Sequence, residues 1–275
     1  MHVIDIEDGH DPRLADYAGV REPALLRQRG LLIAEGRFIV RRLFDSGLRV
    51  RSLLLNDAAL HGLGDLFERT DVSCVIYVAS PDVITTATGF NMHRGCLALA
   101  ERPAEVSLEA LLPASQFVAV LERAVDADNV GSVFRSAEAF GVDAVLLSPG
   151  CCDPFYRKAI RTSSGSALVL PWTTAAPWPA ALDRLRASGF VIAATMPDDG
   201  VMDIGAFVGT AAARGRLAVL LGTEGHGLTG EALARADIRL RIPMSGALDS
   251  LNLATAAGIV LHRLHDVRQP SGVPQ

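Results

Sequence analysis

The chain has 275 residues, of which 49% are hydrophobic and 21% charged, with a formal net charge of −5. This composition excludes a disordered chain, and the length suits two modest domains or one large one. No apolar stretch approaches bilayer-spanning length, and the acidic segment Met1 to Asp11 has no apolar signal core, so the expected setting is cytoplasmic.

The first third reads as mixed α/β. Ala24 to Leu32 and Gly36 to Ser46 look helical, with Gly47 as a stop. Val50 to Leu55 reads as a strand, Leu60 to Thr70 as a short helix and Cys74 to Val78 as a strand. Ser80 to Ala87 is a predicted helix with Ser80 as cap and Pro81 in its first turn. Cys96 to Ala100 is a further strand. Glu101 to Ser115 is looser, holds two prolines and three glutamates, and is the linker candidate.

A second alternation follows. Phe117 to Leu121 is an apolar strand, and Asp128 to Phe140 a helix closed by Gly141. Ala144 to Leu147 (strand), Tyr156 to Arg161 (helix), Ala167 to Leu170 (strand), Pro179 to Ala187 (helix) and Phe190 to Ala194 (strand) come next. Leu217 to Leu221 is strongly apolar. Glu231 to Arg235 reads as a helix, Ile238 to Ile242 as a strand, and Ser250 to about His265 as the final helix. Continuous apolar strands between helices predict a mostly parallel sheet covered on both faces.

Charge is unevenly distributed. Between Arg21 and Arg51 lie eight arginines and three acids, a local charge of +5 that leaves −10 for the remainder. A solvated helix face and a polyanion-binding face both fit such a run. Lys158 is the one lysine beside 25 arginines, so part of the arginine content is compositional bias. Cys74, Cys96, Cys151 and Cys152 have neither a disulfide framework nor zinc spacing, and His262 and His265 lack a nearby third ligand, so no metal is expected.

Three patches follow the carboxyl ends of predicted strands, where open α/β sheets bind ligands. The first is Glu122-Arg123 with Asp128-Asn129-Val130-Gly131-Ser132 and Arg135. Asp128 or Asn129 reads as a helix cap, and Arg135 as a surface charge or a site residue. The second, Gly222-Thr223-Glu224-Gly225-His226-Gly227-Leu228, is a glycine-rich turn. Its G-x-x-G-x-G spacing is not that of a dinucleotide site, and no acid ends the following strand. The third runs from Ile242-Pro243-Met244 to Ser250-Leu251-Asn252. There a serine and an asparagine head an otherwise apolar helix, which is costly unless they bond the helix's own amides or a ligand.

Taken together and in this order, the patches resemble the three motifs of the SpoU (TrmH-type) RNA 2′-O-ribose methyltransferases of the SPOUT superfamily. Asn129, Gly131 and Arg135 match the first, Leu220 to Leu228 the second, and Ile242-Pro243-Met244 with Ser250-Leu251-Asn252 the third. Arg161-Thr162-Ser163-Ser164-Gly165 is similar to a further family segment. The likeness covers about Phe117 to His265, and Ala34-Glu35-Gly36 with His93-Arg94-Gly95 resembles the family's L30e-like substrate domain. Leu253-Ala254 departs from the usual Val-Ser, and Asp249 stands where glutamate is common.

The resemblance implies an L30e-like RNA-binding domain over 1–107 and a trefoil-knotted SPOUT methyltransferase domain over 115–268. It implies methyl transfer from S-adenosylmethionine to a ribose 2′-hydroxyl of tRNA or rRNA by a cytoplasmic homodimer. Arg135, Asn129, Glu224, Ser250 and Asn252 are then the expected catalytic set. Thr195, Leu221, Gly222, Gly225, Ile242, Met244 and Leu251 are expected around the cofactor, and Arg29, Arg37, Arg41 and Arg42 on RNA. The last helix, lacking a clear polar face, is the expected dimer seam. The alternative is a non-catalytic RNA-binding protein on the same fold.

Overall fold

The computed structural model describes residues 2–18, 23–70, 72–90, 92, 95–198, 200–223, 225–246 and 250–268. The chain divides into two compact units. One comprises Met1–Ala104 with Pro154–Val169, and the other Glu105–Asp153 with Leu170–Gln275.

The first unit is built on strands β1 (His2–Ile6), β2 (Leu31–Glu35), β3 (Val50–Leu55), β4 (Val75–Ala79) and β5 (Cys96–Glu101), in the order β1-β4-β3-β5-β2. The β1–β4–β3 pairs are parallel and the β3–β5–β2 pairs antiparallel. Successive residues feed opposite faces, as a pleated strand requires. Leu32, Ala34, Leu53, Leu55 and Ile76 pack on one side, and Leu31, Ile33, Leu54, Leu97 and Leu99 on the other. On the second side the Tyr17 hydroxyl meets Ser52 Oγ at 2.7 Å. Burial pushes that hydroxyl's pKa up, so it remains protonated. Burial likewise pushes the Cys74 thiol up to about 11 and the Cys96 thiol up to about 12, and all four cysteines are free.

The expected helix over Ala24 to Leu32 ends early. It spans Pro23–Gln28, and Gly30, at φ 65°, reverses the chain so that Leu31 and Leu32 enter the fully buried β2. The segment Pro154–Val169 belongs to this unit as well: Ile160 and Leu168 join its core, and Arg157 pairs with Glu35. The predicted strand at Ala167 to Leu170 is a helical turn, Ser166–Val169, and the strand follows it. A short apolar run fixes no period by itself.

The second unit holds β6 (Phe117–Glu122), β7 (Ala144–Leu147), β8 (Trp172–Thr174), β9 (Val191–Thr195), β10 (Met202–Asp203), β11 (Leu217–Gly222) and β12 (Ile238–Arg241). All neighbours are parallel, in the order β10-β12-β9-β11-β6-β7-β8. The late strand β11 therefore lies between β9 and β6, its Leu217 to Leu221 fully buried. The chain leaves β6 for β7 and β8 on one side and reappears as β9 on the other. The carboxyl ends of β6, β9 and β11 flank this switch in direction, the ordinary place for a ligand crevice.

Two aspartates anchor strand starts: Asp143 accepts from the amides of Gln116 and Phe117, and Asp237 from Ile192. Arg216 closes the opposite end of the sheet. It donates to the carbonyls of Ser188, Leu112 and Ser115, with its guanidinium 4.4 Å from the Phe190 ring centroid. Removing the cation would take a charged donor from all three carbonyls, although Leu112 O would keep the Ser115 amide at 3.0 Å. Arg216→Ala is expected to lower stability by about 2–4 kcal/mol, measured by denaturant or thermal unfolding, since hydrogen bonds to charged groups are the strong ones.

Candidate active site

At the end of β6 the chain turns through Arg123, at φ 56°, and enters the helix Ala127–Ala139. The cap is neither Asp128 nor Asn129. It is Asp126, whose carboxylate accepts from the amides of Asp128 (2.8 Å) and Asn129 (3.0 Å). With the helix start satisfied from outside, the Asn129 side chain is available for long-range contact. Val130, Val133, Phe134 and Ala137 bury the inner stripe of this helix.

The last helix, Leu253–Arg268, starts later than expected because Asn252 is its cap. Asn252 Oδ1 accepts from Ala254 N (2.9 Å) and Thr255 N (3.2 Å). Its Nδ2 donates to Asn129 Oδ1 at 3.0 Å. One amide thus serves as cap and as cross-link between two helices that pack side by side. Farther along the same pair, Phe140 meets His262 edge-on at 5.3 Å, and its carbonyl lies 3.1 Å from His265 Nδ1. Both histidines therefore serve helix packing. The helix does carry a polar outer stripe, Thr255, His262, Arg263 and Asp266, contrary to the sequence expectation.

Between these elements, β11 ends in Gly222. A Cβ built there would lie 2.5 Å from Gly227 C and 2.6 Å from Leu228 N. The turn folds back onto its own strand, with Gly227 N bonded to Thr223 O at 2.9 Å. Only glycine fits that approach. Gly225 and Gly227 complete the reversal at φ 79° and 60°. Glu224, expected here as a catalytic residue, lies outside the described residues, as do Asp249, His93 and Arg94.

The turn, the end of β9 and the run after β12 enclose a cavity of about 420 Å³. Thr195, Leu221, Gly222, Gly225, Ile242, Met244 and Leu251 all line it, together with Ser250. Thr195 is held by its own hydroxyl, which donates to Leu220 O at 3.1 Å. The sequence reading does not place Met196, Pro197, Asp198 or Leu253 at this cavity, and takes His226 for a turn residue, yet all five line it. The first three directly follow β9, so extending the strand-end rule beyond Thr195 would have found them.

Arg135 is exposed. Among the described residues it makes no hydrogen bond or ion pair, and it does not line the cavity. Six residues separate it from Asn129, about 9 Å along the helix and a third of a turn around it. The structure thus brings Asn129 and Asn252 together and sets Ser250 at the cavity, but leaves Arg135 apart. Cys151 is no nucleophile here: burial raises its thiol pKa, and its Sγ lies 3.4 Å from Leu121 O.

In the first unit the four expected RNA contacts differ. Arg41 forms a two-pronged pair with Asp65 (2.5 and 2.6 Å) and reaches Gly62 O. Arg29 pairs with Asp16 at 3.5 Å, and Arg42 lies against Gly165. Arg37 is exposed and, among the described residues, without an ion pair, beside Phe38, which is 60% exposed.

Comparison with known proteins gives this geometry a lineage. The family model described as the SpoU rRNA methylase family matches residues 116–262. An uncharacterized tRNA/rRNA methyltransferase of Mycobacterium tuberculosis is 40% identical over 266 residues, 95% of this chain and 91% of that one. The 23S rRNA (guanosine(2553)-2′-O)-methyltransferase of Bacillus subtilis is 26% identical over 259 residues, covering 94% of this chain and 98% of its own length. The crystal structure of an AdoMet-bound rRNA methyltransferase from Sinorhizobium meliloti superposes with a TM-score of 0.80 at 24% identity, over 96% of this chain and 98% of that chain, and shares the fold. With a family model spanning more than half of it and a 40% identical relative along nearly all of it, this chain belongs to the SpoU rRNA methylase family.

Proposed function

We propose that this chain is an RNA methyltransferase that transfers the methyl group of S-adenosylmethionine to a ribose 2′-hydroxyl of tRNA or rRNA. The observation that carries the reading is the cavity of about 420 Å³ at the carboxyl ends of the parallel strands, lined by the second and third sequence patches, with the first patch tied to the third through the Asn252–Asn129 hydrogen bond. Its volume lies within the range of small-molecule sites. Its apolar side chains (Leu221, Ile242, Met244, Leu251) and the glycine backbone of the Gly222 turn suit a flat base and the aliphatic part of the donor, and a Cβ at Gly222 would clash with the backbone of the turn that walls the cavity. The B. subtilis relative, named for 2′-O transfer, supports the choice of ribose over base.

When bound, S-adenosylmethionine supplies a sulfonium-activated methyl group. The protein's task is to hold the donor, orient the hydroxyl and accommodate its proton. Gly222, Gly225 and Thr195 hold the donor by close backbone approach, and Leu221, Ile242, Met244 and Leu251 exclude water. Ser250 and the Asn129–Asn252 pair orient the ribose by hydrogen bonds. Glu224 orients Arg135 or the ribose edge. Arg135 is not the base, because a guanidinium stays protonated in proteins. It clamps the neighbouring phosphate and stabilises the developing alkoxide, and the proton passes to phosphate or water.

The separation of Arg135 from the donor cavity is the ground for a homodimer in which each site takes Arg135 from one subunit and the donor pocket from the other. The first unit, with Arg29, Arg37, Arg41 and Arg42, is the RNA-holding domain, as the L30e-like resemblance implies, and the cytoplasm is the compartment where its substrate resides.

Labelled donor incubated with unmodified 23S rRNA and tRNA transcripts, followed by nucleoside analysis, should give a 2′-O-methylated nucleoside. A base-methylated product or a chain inert on both RNAs would refute the reading. Asn252→Asp keeps the capping oxygen but removes the donor to Asn129, whereas Asn252→Ala removes both. Transfer should fall at least about a hundredfold in each, as for loss of a transition-state donor, while only the alanine variant should lose about 1 kcal/mol of stability. Equal activity of Asn252→Asp and wild type would assign Asn252 to capping alone. Gly222→Ala should lose S-adenosylmethionine binding by calorimetry. Arg135→Ala and Asn252→Ala should each be inactive, yet mixed dimers should regain roughly a quarter of wild-type activity, because half are heterodimers with one intact site. No recovery would place Arg135 and Asn252 in the same subunit's site.

A further inference from the structure

A second cavity, about 570 Å³, adjoins the first and shares Thr223 and His226 with it. Its other walls include Glu122, Arg123, Val125 and Trp178, with Glu231 at the rim. Arg123 is the unexpected member. At φ 56° it occupies left-handed backbone, where a side chain is disfavoured and glycine is free. Its amide is pinned by Ser148 Oγ at 2.9 Å, and the next residue is held by Cys152 N donating to Ala124 O at 2.8 Å. The conformation is therefore enforced by its surroundings.

Nothing in the fold uses the Arg123 side chain. It is exposed and makes no hydrogen bond or ion pair through its guanidinium among the described residues. The adjacent carboxylate does not claim it: Glu122 is fully buried and accepts from Trp178 Nε1 (2.7 Å), Thr229 N (2.8 Å) and Thr229 Oγ1 (2.7 Å). Those bonds fix the Trp178 indole at the cavity wall, and Val125 stands 69% exposed beside it. A strained, uncompensated cation thus sits beside an apolar wall, next to the donor cavity. Strain retained without a structural return points to function.

We propose that this second cavity binds the nucleotide flanking the methylated one, with Arg123 on its phosphate and the Trp178–Val125 wall against its base. The inference rests on the RNA methyltransferase reading above. Arg123 is a substrate-positioning residue: it contributes binding in the ground and transition states alike and takes no part in bond-making. Glu122 serves it indirectly, by consuming the neighbouring negative charge in bonds to Trp178 and Thr229.

The test is Arg123→Gly in the full-length protein, assayed with unmodified 23S rRNA and tRNA transcripts and labelled donor. Glycine suits the backbone, so Tm should stay level or rise. KM for the RNA substrate should rise about tenfold with kcat little changed, as for loss of one charge-assisted phosphate contact. The salt dependence of RNA affinity should lose about one unit of slope, and S-adenosylmethionine affinity should not move. An unchanged KM and salt slope with active wild-type enzyme overturns the flanking-nucleotide site alone. A fall in Tm accompanying the KM change also overturns it, because Arg123 would then be structural. A wild type inert on both RNAs sinks the methyltransferase reading and this inference with it.

Discussion

The geometry at the cavity end of the second unit depends on one side-chain amide. Asn252 spends its oxygen on the first amides of the last helix and its nitrogen on Asn129. The cap sets where the helix begins, and hence how much chain between β12 and Leu253 is left to wall the cavity. The cross-link sets that helix against the helix of Asn129. Neither half would suffice alone. A serine cap would start the helix but leave Asn129 Oδ1 without this donor, and the two helices without this tie. Asp126 makes the arrangement possible by capping the Asn129 helix itself, which frees the Asn129 side chain to receive.

The second constraint is the position of β11. It enters the sheet between β9 and β6, so its carboxyl end emerges at the centre of the row of strand ends. Its turn must clear both neighbours, and it does so by folding onto Gly222 within van der Waals distance of its own backbone. A compact turn leaves space above the sheet, and Ile242, Met244, Ser250 and Leu251 line that space. Apolar burial along β6, β7 and β11 keeps the platform rigid, while the ligand-facing edge is almost entirely turn and loop. Precision at the site therefore comes from a few polar anchors, among them Thr195 on Leu220 O, Glu122 on Thr229 and Asn252 on Asn129, set against a stiff sheet.

Much of the second unit was legible in the sequence because buried parallel strands read as continuous apolar runs: Ala144 to Leu147 and Leu217 to Leu221 stand out on composition alone. The cavity-lining residues were legible through their motif order, which records a three-dimensional convergence that periodicity does not. The failures have local causes. β2 follows its helix after only two residues, Arg29 and Gly30, and opens on the apolar pair Leu31-Leu32, which also fits a helical pattern continued through Gly30. β1, His-Val-Ile-Asp-Ile, is a short and mostly exposed edge strand without regular alternation, so it carries little signal. The inclusion of Pro154–Val169 in the first unit could not be read, because nothing in that segment's own pattern names its packing partner. Asp126 was overlooked as a cap since Asp128 and Asn129 are equally good capping residues two and three positions later. Only geometry separates the three.

The basic run in the first unit shows how far charge counting reaches. In sequence, Arg21 to Arg51 carries a charge of +5. In the fold, acids from outside the run meet it: Asp16 takes Arg29 and Arg51, Glu101 takes Arg49 and Arg51, and Asp65 takes Arg41. The potential is thus weaker than the sequence suggests, and among the described residues Arg27 and Arg37 are the exposed arginines of the run that carry no ion pair, Arg37 next in sequence to the exposed Phe38. These pairs do not forbid phosphate binding. Exposed ion pairs contribute at most about 1 kcal/mol each, so a polyanion exchanges one carboxylate for another at small cost. What the pairing changes is the order of importance: an arginine that pairs with no acid among the described residues, as Arg37 does, meets a phosphate without exchange, whereas Arg41 must first release Asp65.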